Sequence, residues 1–457
     1  MAPPAAHAHV LSPFDGATLS LAWGAPFAGL LLSIAFAPLL APKLWHDHYG
    51  KCAAAWVVLL LVPFTVKFGA GEAVHNVAHA IVLEYVPFVA VLFALFAISG
   101  GICFRGALAG TPAVNTAILA LGACLASVMG TTGASMLLVR PLLTANEGRH
   151  HRAHTIVFFI LLVGNVGGAL SPLGDPPLFI GFLNGVDFFW TTRALASPTV
   201  FLCVALLVLF HALDQWLYRR EARPSTPATR LPLSVEGVPN FLLLGGVIGT
   251  VLMSGFWDPG IAFDIAGARV ELQDAVRNAL LVALGLLSLA ITPATVRAHN
   301  QFHWAPIVEV GKLFAAIFVT IFPVLAMLEA GRDGALHGIF ALVGDSAENR
   351  NNDMVFWLTG LLSAFLDNAP TYLVFFNLAG GNAAALMGEQ AQSLAALSMG
   401  AVYFGALTYI GNAPNFMIKA IAEDRGVAMP SFFAFFAYAA LVMLPLLAVV
   451  AFVWLSP

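Results

Sequence analysis

Charge is what this 457-residue chain has least of: Asp, Glu, Lys and Arg supply 10% of it, hydrophobic residues 60%. Soluble domains carry roughly 25% charged residues, so a water-soluble fold is excluded. Cysteine is nearly as scarce. Cys52, Cys103, Cys124 and Cys203 are scattered in or beside apolar segments without metal-ligand spacing. That argues against a disulfide framework or a zinc site and for buried, unpaired thiols. No Walker A motif is present, which removes a P-loop ATPase in this chain as the driving engine. His-Glu-x-x-His is missing too, and no Ser–His or Asp–Asp pair accompanies a water-access motif, so an intramembrane enzyme lacks its chemistry. Residues 1–20 lack the basic start and short apolar core of a signal peptide and are expected to stay in the mature chain. No resident cofactor is expected, and a net charge of −4 gives no reason for a nucleic-acid partner.

What is present is apolar sequence in long runs, at residues 23–40, 156–168, 200–217, 241–255, 278–291, 307–328 and 432–454. About 20 apolar residues cross a bilayer, fewer where neighbours cover the ends. An all-α polytopic membrane protein is predicted, with about ten spans and two shorter hairpins. Basic residues collect on the cytoplasmic side, which sets the orientation loop by loop. Segment 1–22, without Lys or Arg, is placed outside; Lys43 and Lys51 mark an inner loop, Glu72, His75 and His79 an outer one. Arg105 then ends the third span inside, and Arg149 and Arg152 follow residues 112–143 on that same side. Each arm of that segment, roughly 15 residues, reaches about 22 Å, so it is predicted to be a re-entrant hairpin. Span 200–217 ends inside at Arg219, Arg220 and Arg223, and residues 224–229 read as a linker. The rest runs the pattern upside down, with an acidic outer loop of Asp258, Asp264, Glu271 and Asp274 and a second hairpin at about 353–379. The expected division is an extracytoplasmic segment 1–22, a first repeat 23–218, a cytoplasmic linker 219–238 and an inverted second repeat 239–457. Each repeat holds about five spans, one hairpin and one broken helix. Both termini lie outside, in what is expected to be a bacterial inner membrane.

The two halves share breaks as well as charge pattern. Around residue 130 the apolar run is interrupted by Ser127, Thr131, Thr132 and Ser135; around residue 366, by Ser363, Asp367, Asn368 and Thr371. Some forty residues later come Ser171-Pro-Leu-Gly174-Asp175-Pro-Pro177 and Thr408-Tyr-Ile-Gly411-Asn412-Ala-Pro414-Asn415. Asp367 follows Thr131 by 236 residues, Pro323 follows Pro87 by 236, and Gly411 follows Gly174 by 237. A bundle with incidental kinks has no reason for a constant offset. Backbone leaves the helix at membrane depth only where protein or a water-filled cavity satisfies it. Matched breaks in two halves therefore point to the midplane site of a secondary transporter.

Two carboxylates, Asp175 and Asp367, sit at these breaks. An ionisable residue in a membrane segment is costly and defaults to function; both could also cap the following helix. Around them Thr131, Thr132, Ser135, Ser171, Asn368, Thr371, Thr408, Asn412 and Asn415 offer hydroxyl and amide oxygens, hard ligands for a small dehydrated cation. Half-helix N-termini alone would favour an anion. Two ionised carboxylates in a low dielectric repel one, and a carboxylate withdrawn from water holds a proton more tightly. The offsets pair Thr131 with Asp367 and Asp175 with Asn412, one carboxylate from each half. The leading expectation is a secondary antiporter exchanging sodium or lithium for protons, with Asp175 and Asp367 as ligands of the transported cation. The alternative is a carrier of citrate, another carboxylate or an oxyanion such as arsenite, with Asp367 holding a coupling cation. That alternative calls for a basic side chain at a break, and Arg140 is the nearest.

The block Gly164-Asn-Val-Gly-Gly-Ala-Leu-Ser171-Pro-Leu-Gly174-Asp175-Pro-Pro177 is similar to the Gly-Asp-Pro-Pro signature of two branches of the ion transporter superfamily. These are the arsenite permeases and the NhaD-type sodium/proton antiporters. Ser363-Ala-Phe-Leu-Asp367-Asn368-Ala-Pro370 resembles the Asp-Asn-x-Pro hairpin of the same branches. The superfamily also holds metal–citrate transporters and dicarboxylate/sodium symporters. Neither hairpin tip carries the Ser-Asn-Thr triplet of dicarboxylate members, and residues 409–415 depart from the Ser- and Gly-rich form of NhaD proteins. The resemblance implies a mobile transport domain of hairpins and broken helices on a scaffold, commonly as a homodimer in the bilayer, carrying a small inorganic ion. Other polar residues are read more plainly. His150, His151 and His154 look like a solvated basic loop rather than a pH sensor. His75 and His79 look like an exposed loop rather than a metal site, and Glu84 and Glu309 like snorkelling side chains.

Overall fold

A computed structural model describes residues 15–106, 108–221, 234–344 and 349–455. Arg223 and the linker at 224–229 lie outside the described residues, as do the first 14. In the first half the chain forms α1 (Ala25–Leu40), α2 (Pro42–Phe68) and α3 (Ala70–His79). A π-helical turn (Ala80–Tyr85) joins α3 to α4 (Val86–Ser99). The hairpin α5 (Pro112–Met129) and α6 (Thr131–Ala145), the broken helix α7 (Ala153–Leu162) and α8 (Pro176–Leu183), and α9 (Phe188–Tyr218) complete it. The second half opens with α10 (Pro239–Phe256), α11 (Leu272–Ile291), α12 (Ala294–His299), α13 (Ala305–Glu329) and α14 (His337–Val343). A hairpin follows, α15 (Asn352–Phe365) and α16 (Asn368–Leu378), then α17 (Ala383–Met387). The broken helix α18 (Ala391–Phe404) and α19 (Ala413–Asp424) precedes α20 (Phe432–Trp454). Two antiparallel ribbons complete the fold, β1 (Cys103–Arg105) with β2 (Ser234–Glu236) and β3 (Ala262–Ile265) with β4 (Ala268–Glu271).

Among the described residues ten helices are long and apolar enough to cross a membrane, so the chain is an all-α polytopic membrane protein. The order of hairpin, then helix broken in its middle, occurs once in each half. Capping starts both hairpins. Thr111 accepts a hydrogen bond from the Val114 amide at 3.3 Å, with Pro112 in the first turn, and Asn351 accepts one from Met354 at 2.9 Å.

Several expected loops are helix. Lys43 and Lys51 lie inside α2, because Pro42 at its start lets the helix resume one residue after α1. Glu72, His75 and His79 lie in α3, so the third span begins at Ala70 rather than near residue 83. Glu72, Asn76 and His79 recur at helical spacing, a polar stripe and not a loop signal. Pro87 cannot donate to the carbonyl four residues back, and the helix adjusts through the π turn immediately upstream. The acidic outer loop is largely the β3–β4 ribbon, with Asp274 already inside α11. Of the break expected over residues 130–133, only Gly130 is non-helical, at φ 80°. The first arm is therefore 18 residues long, about 27 Å, longer than a short re-entrant arm. Cys103 alone of the four free cysteines is buried, and Cys124 is exposed.

The breaks occupy the centre. The Ala153–Leu170 segment is 83% buried, whereas the best apolar window of Pro42–Phe68 is only 17% buried and presents Val58, Leu59, Val62 and Val66 outward. In a bilayer that outer face meets lipid. Hairpins and broken helices are cross-packed between halves: α6 lies against α19, and α16 against α8.

Candidate substrate and ion site

Each broken helix leaves its path the same way. A short 3-10 turn, Val166–Leu170 or Gly405–Leu407, leads into an extended residue, Ser171 (φ −148°) or Thr408 (φ −134°). A second extended residue, Asp175 or Asn412, then starts α8 or α19. The hydroxyls tie these breaks to the hairpins. Ser171 Oγ donates to the Ser127 carbonyl at 2.5 Å, and Thr408 Oγ1 donates to the Ala364 carbonyl. Ser171 Oγ also accepts from the Leu173 amide at 3.2 Å, as Thr408 Oγ1 does from Ile410 at 3.2 Å. Backbone passes so closely that a side chain on Gly174 would strike the Gly168 carbonyl, and one on Gly411 would approach that of Gly405. These matches all keep one offset, 237 residues. The same offset pairs Gly130 with Asp367, the residues that precede α6 and α16, and Thr131 with Asn368. The expected pairing of Thr131 with Asp367 is thus one residue out.

The four half-helix starts meet on one carboxylate. Asp175 is 1% exposed. Its Oδ1 accepts from Thr131 Oγ1 at 3.2 Å and Asn412 Nδ2 at 2.9 Å, and its Oδ2 accepts from Asn368 Nδ2 at 2.6 Å. The donors begin α6 and α16 or immediately precede α19, while Asp175 immediately precedes α8. Asp175 therefore spends its oxygens across the repeat and makes no side-chain cap on its own helix. Asp367 behaves differently. It is only half-buried, and its Oδ1 caps α16 by accepting from the Ala369 amide at 3.1 Å. Asn368, fully buried, gives its amide hydrogens to Asp175, and its Oδ1 has no hydrogen-bond partner.

The other predicted residues divide. Thr371 Oγ1 donates to the Asp367 carbonyl at 2.8 Å and is occupied within its own helix. Ser135 is buried in the second turn of α6 with an unpartnered hydroxyl, and Thr132 is half-buried in the first. Asn415 braces the break by donating to the Gly405 and Thr408 carbonyls at 2.8 Å each. Asn165 escaped the sequence reading. Its Nδ2 donates to Asn415 Oδ1 at 2.8 Å, and its Oδ1 accepts from Asn412 at 3.2 Å, so it locks the two broken helices together. An amide inside the apolar run at 156–168 was the available signal. Arg140 is not at a break: it donates to Asn300 at 3.3 Å and Gln301 at 3.2 Å, nine residues or about 13 Å along α6 from Thr131. His154 is not solvated either. Its Nε2 lies 2.8 Å from Asp214 Oδ1, which pairs with Arg149 at 2.6 Å, while Asp214 Oδ2 accepts from Asn115 at 2.9 Å, a network at the base of the first hairpin.

Each helix N-terminus carries about +0.5 of a charge, so four of them contribute about +2. That matches two carboxylates in size. A family model, CitMHS_2, described as "Putative citrate transport", matches residues 16–455. No curated protein matches the chain.

Proposed function

The chain belongs to the citrate-transport family that this match defines, and from that premise we propose that it carries a citrate-type carboxylate together with a coupling cation. One observation carries the reading: four helix starts converge on Asp175, with an unpartnered Asn368 Oδ1 next to Asp367. Substrate carboxylates take the N–H groups of Thr132 and Gly133 in the first turn of α6, since the first N–H of that helix, Thr131's, already donates to the Gly174 carbonyl. The cation, sodium or lithium, sits between the Asp367 carboxylate and Asn368 Oδ1, and protons compete for Asp367. Thr132 and Ser135 line the approach along α6. Ser171, Thr371, Thr408, Asn412 and Asn415 hold the breaks in shape. The two repeats are inverted, so the hairpins open to opposite faces.

Sodium/proton exchange on two alternating carboxylates is the weaker reading. Exchange needs both groups open to the ion, and Asp175 already accepts from three donors. The test is uptake by proteoliposomes of the purified protein. Labelled citrate should accumulate under an inward sodium gradient and fail to accumulate without one. Proton efflux driven by NaCl, with no citrate uptake under any gradient, would restore the antiporter reading and overturn this one. Uptake of arsenite instead would point to the oxyanion branch.

A further inference from the structure

A cleft with a largely apolar lining and a few polar groups lies apart from the hub, where the third span meets α13 and the second arm of the second hairpin. Asn76, His79, Glu84 and Glu329 come from α3, the π turn and α13; Asn377 comes from α16. Asn76 and Asn377, 2% and 7% exposed, adopt the same posture on opposite walls. Asn76 Nδ2 donates to the Glu72 carbonyl at 2.8 Å, and Asn377 Nδ2 to the Leu373 carbonyl at 2.9 Å. Those bonds fix the amide orientation, because an amide oxygen set against a carbonyl would be repelled. Buried Asn76 Oδ1 has no hydrogen-bond partner, and Asn377 Oδ1 lies toward Gly381, just past the end of α16. Glu84, 8% exposed, stands on the π turn and brings a carboxylate to the same cleft. π turns are rare and concentrate at functional sites.

We propose that this cleft is a second cation site, taking one small alkali cation on the Glu84 carboxylate and the amide oxygens of Asn76 and Asn377. Neutral amide oxygens and carboxylates are hard donors, suited to hard ions. Among the described residues no three His, Cys, Asp or Glu side chains are placed to hold a metal ion together, so a transition metal or a densely charged divalent site does not fit. Glu329 is exposed at the cleft and His79 lies on the wall that carries Asn76, so the ion meets an acidic mouth and a titratable neighbour. Occupancy bridges α16 to α3 and the π turn. The first residue of α16, Asn368, holds Asp175, so the ion braces the hub's second hairpin against the opposite wall.

Equilibrium binding of radioactive sodium to the purified full-length protein, without citrate, tests this separately from transport. Glu84→Gln keeps the side-chain volume and removes the charge; Asn377→Ala removes the ligand from the other wall. Each should weaken one class of sodium site by at least about tenfold, 1.4 kcal/mol, and leave any site that depends on Asp367. Combining Glu84→Gln with Asp367→Asn should abolish sodium binding. If Glu84→Gln misfolds on size-exclusion chromatography, Asn377→Ala alone decides. Sodium binding that is lost in Asp367→Asn but unchanged in Glu84→Gln and in Asn377→Ala overturns the proposal. Binding that survives Asp367→Asn and is lost in Glu84→Gln supports the cleft while counting against the cation assigned to the hub.

Discussion

Asp175 and Asp367 are both carboxylates in apolar sequence, yet their surroundings assign them opposite sensitivities. Asp175→Asn turns an NH₂ group toward donors and leaves one of Thr131, Asn368 or Asn412 without its acceptor. An unsatisfied buried donor costs about 1–3 kcal/mol, so this variant should melt several degrees lower and lose citrate uptake. Asp367→Asn keeps the cap on α16, since Asn caps as well as Asp, and should stay within about 0.5 kcal/mol of wild type while losing uptake. Thermal melting in detergent, run beside uptake, checks both; equal melting losses would mean that Asp367 is structural. The sequence revealed both residues because charge is costly at membrane depth. It concealed their division of labour, because a capping carboxylate and a bridging one look alike in one dimension. Asn165 stayed hidden for a related reason: a single amide in a run of Ile, Leu and Val shows its partners only once the first broken helix is packed against the start of α19.

At the scale of elements the breaks are backbone against backbone, and glycine is what allows it. Gly174→Ala sets a methyl against the Gly168 carbonyl, which cannot rotate away. That should cost about 3 kcal/mol and abolish uptake. Gly245→Ala in α10, where a methyl group meets nothing within 4 Å, should leave melting and uptake unchanged. If both variants behave alike in melting and transport, the close approach at the break is not what shapes the site. Glycine, proline and polar residues at a constant spacing made the breaks legible. The extent of α3 was not, because a polar face on a helix end resembles a loop, and a π turn falls outside a 3.6-residue count. The hairpin pairing slipped by one residue because Gly130 and Asp367 share a structural position without sharing a side chain.

For the whole molecule, hydropathy revealed that the chain is all-α and crosses the membrane many times, and nothing in it said which helix faces which. The crossing of α6 onto α19 and of α16 onto α8 depends on three-dimensional packing, and it brings four helix starts together. Inversion of the halves has its own test. Thr132→Cys and Leu366→Cys, made singly without the native cysteines, occupy half-buried positions beside the two hairpin breaks. Impermeant thiol reagents should reach the first from the cytoplasmic face and the second from outside; labelling of both from one face only would contradict inversion. The most direct measurement of the central claim is calorimetric titration of citrate into wild type and Asp367→Asn, each with and without sodium. Sodium should tighten citrate binding to the wild type by at least about tenfold, 1.4 kcal/mol, and leave the variant unaffected. The same sodium dependence in both proteins, or no citrate binding to the wild type, would contradict a shared carboxylate and cation site at the four helix starts.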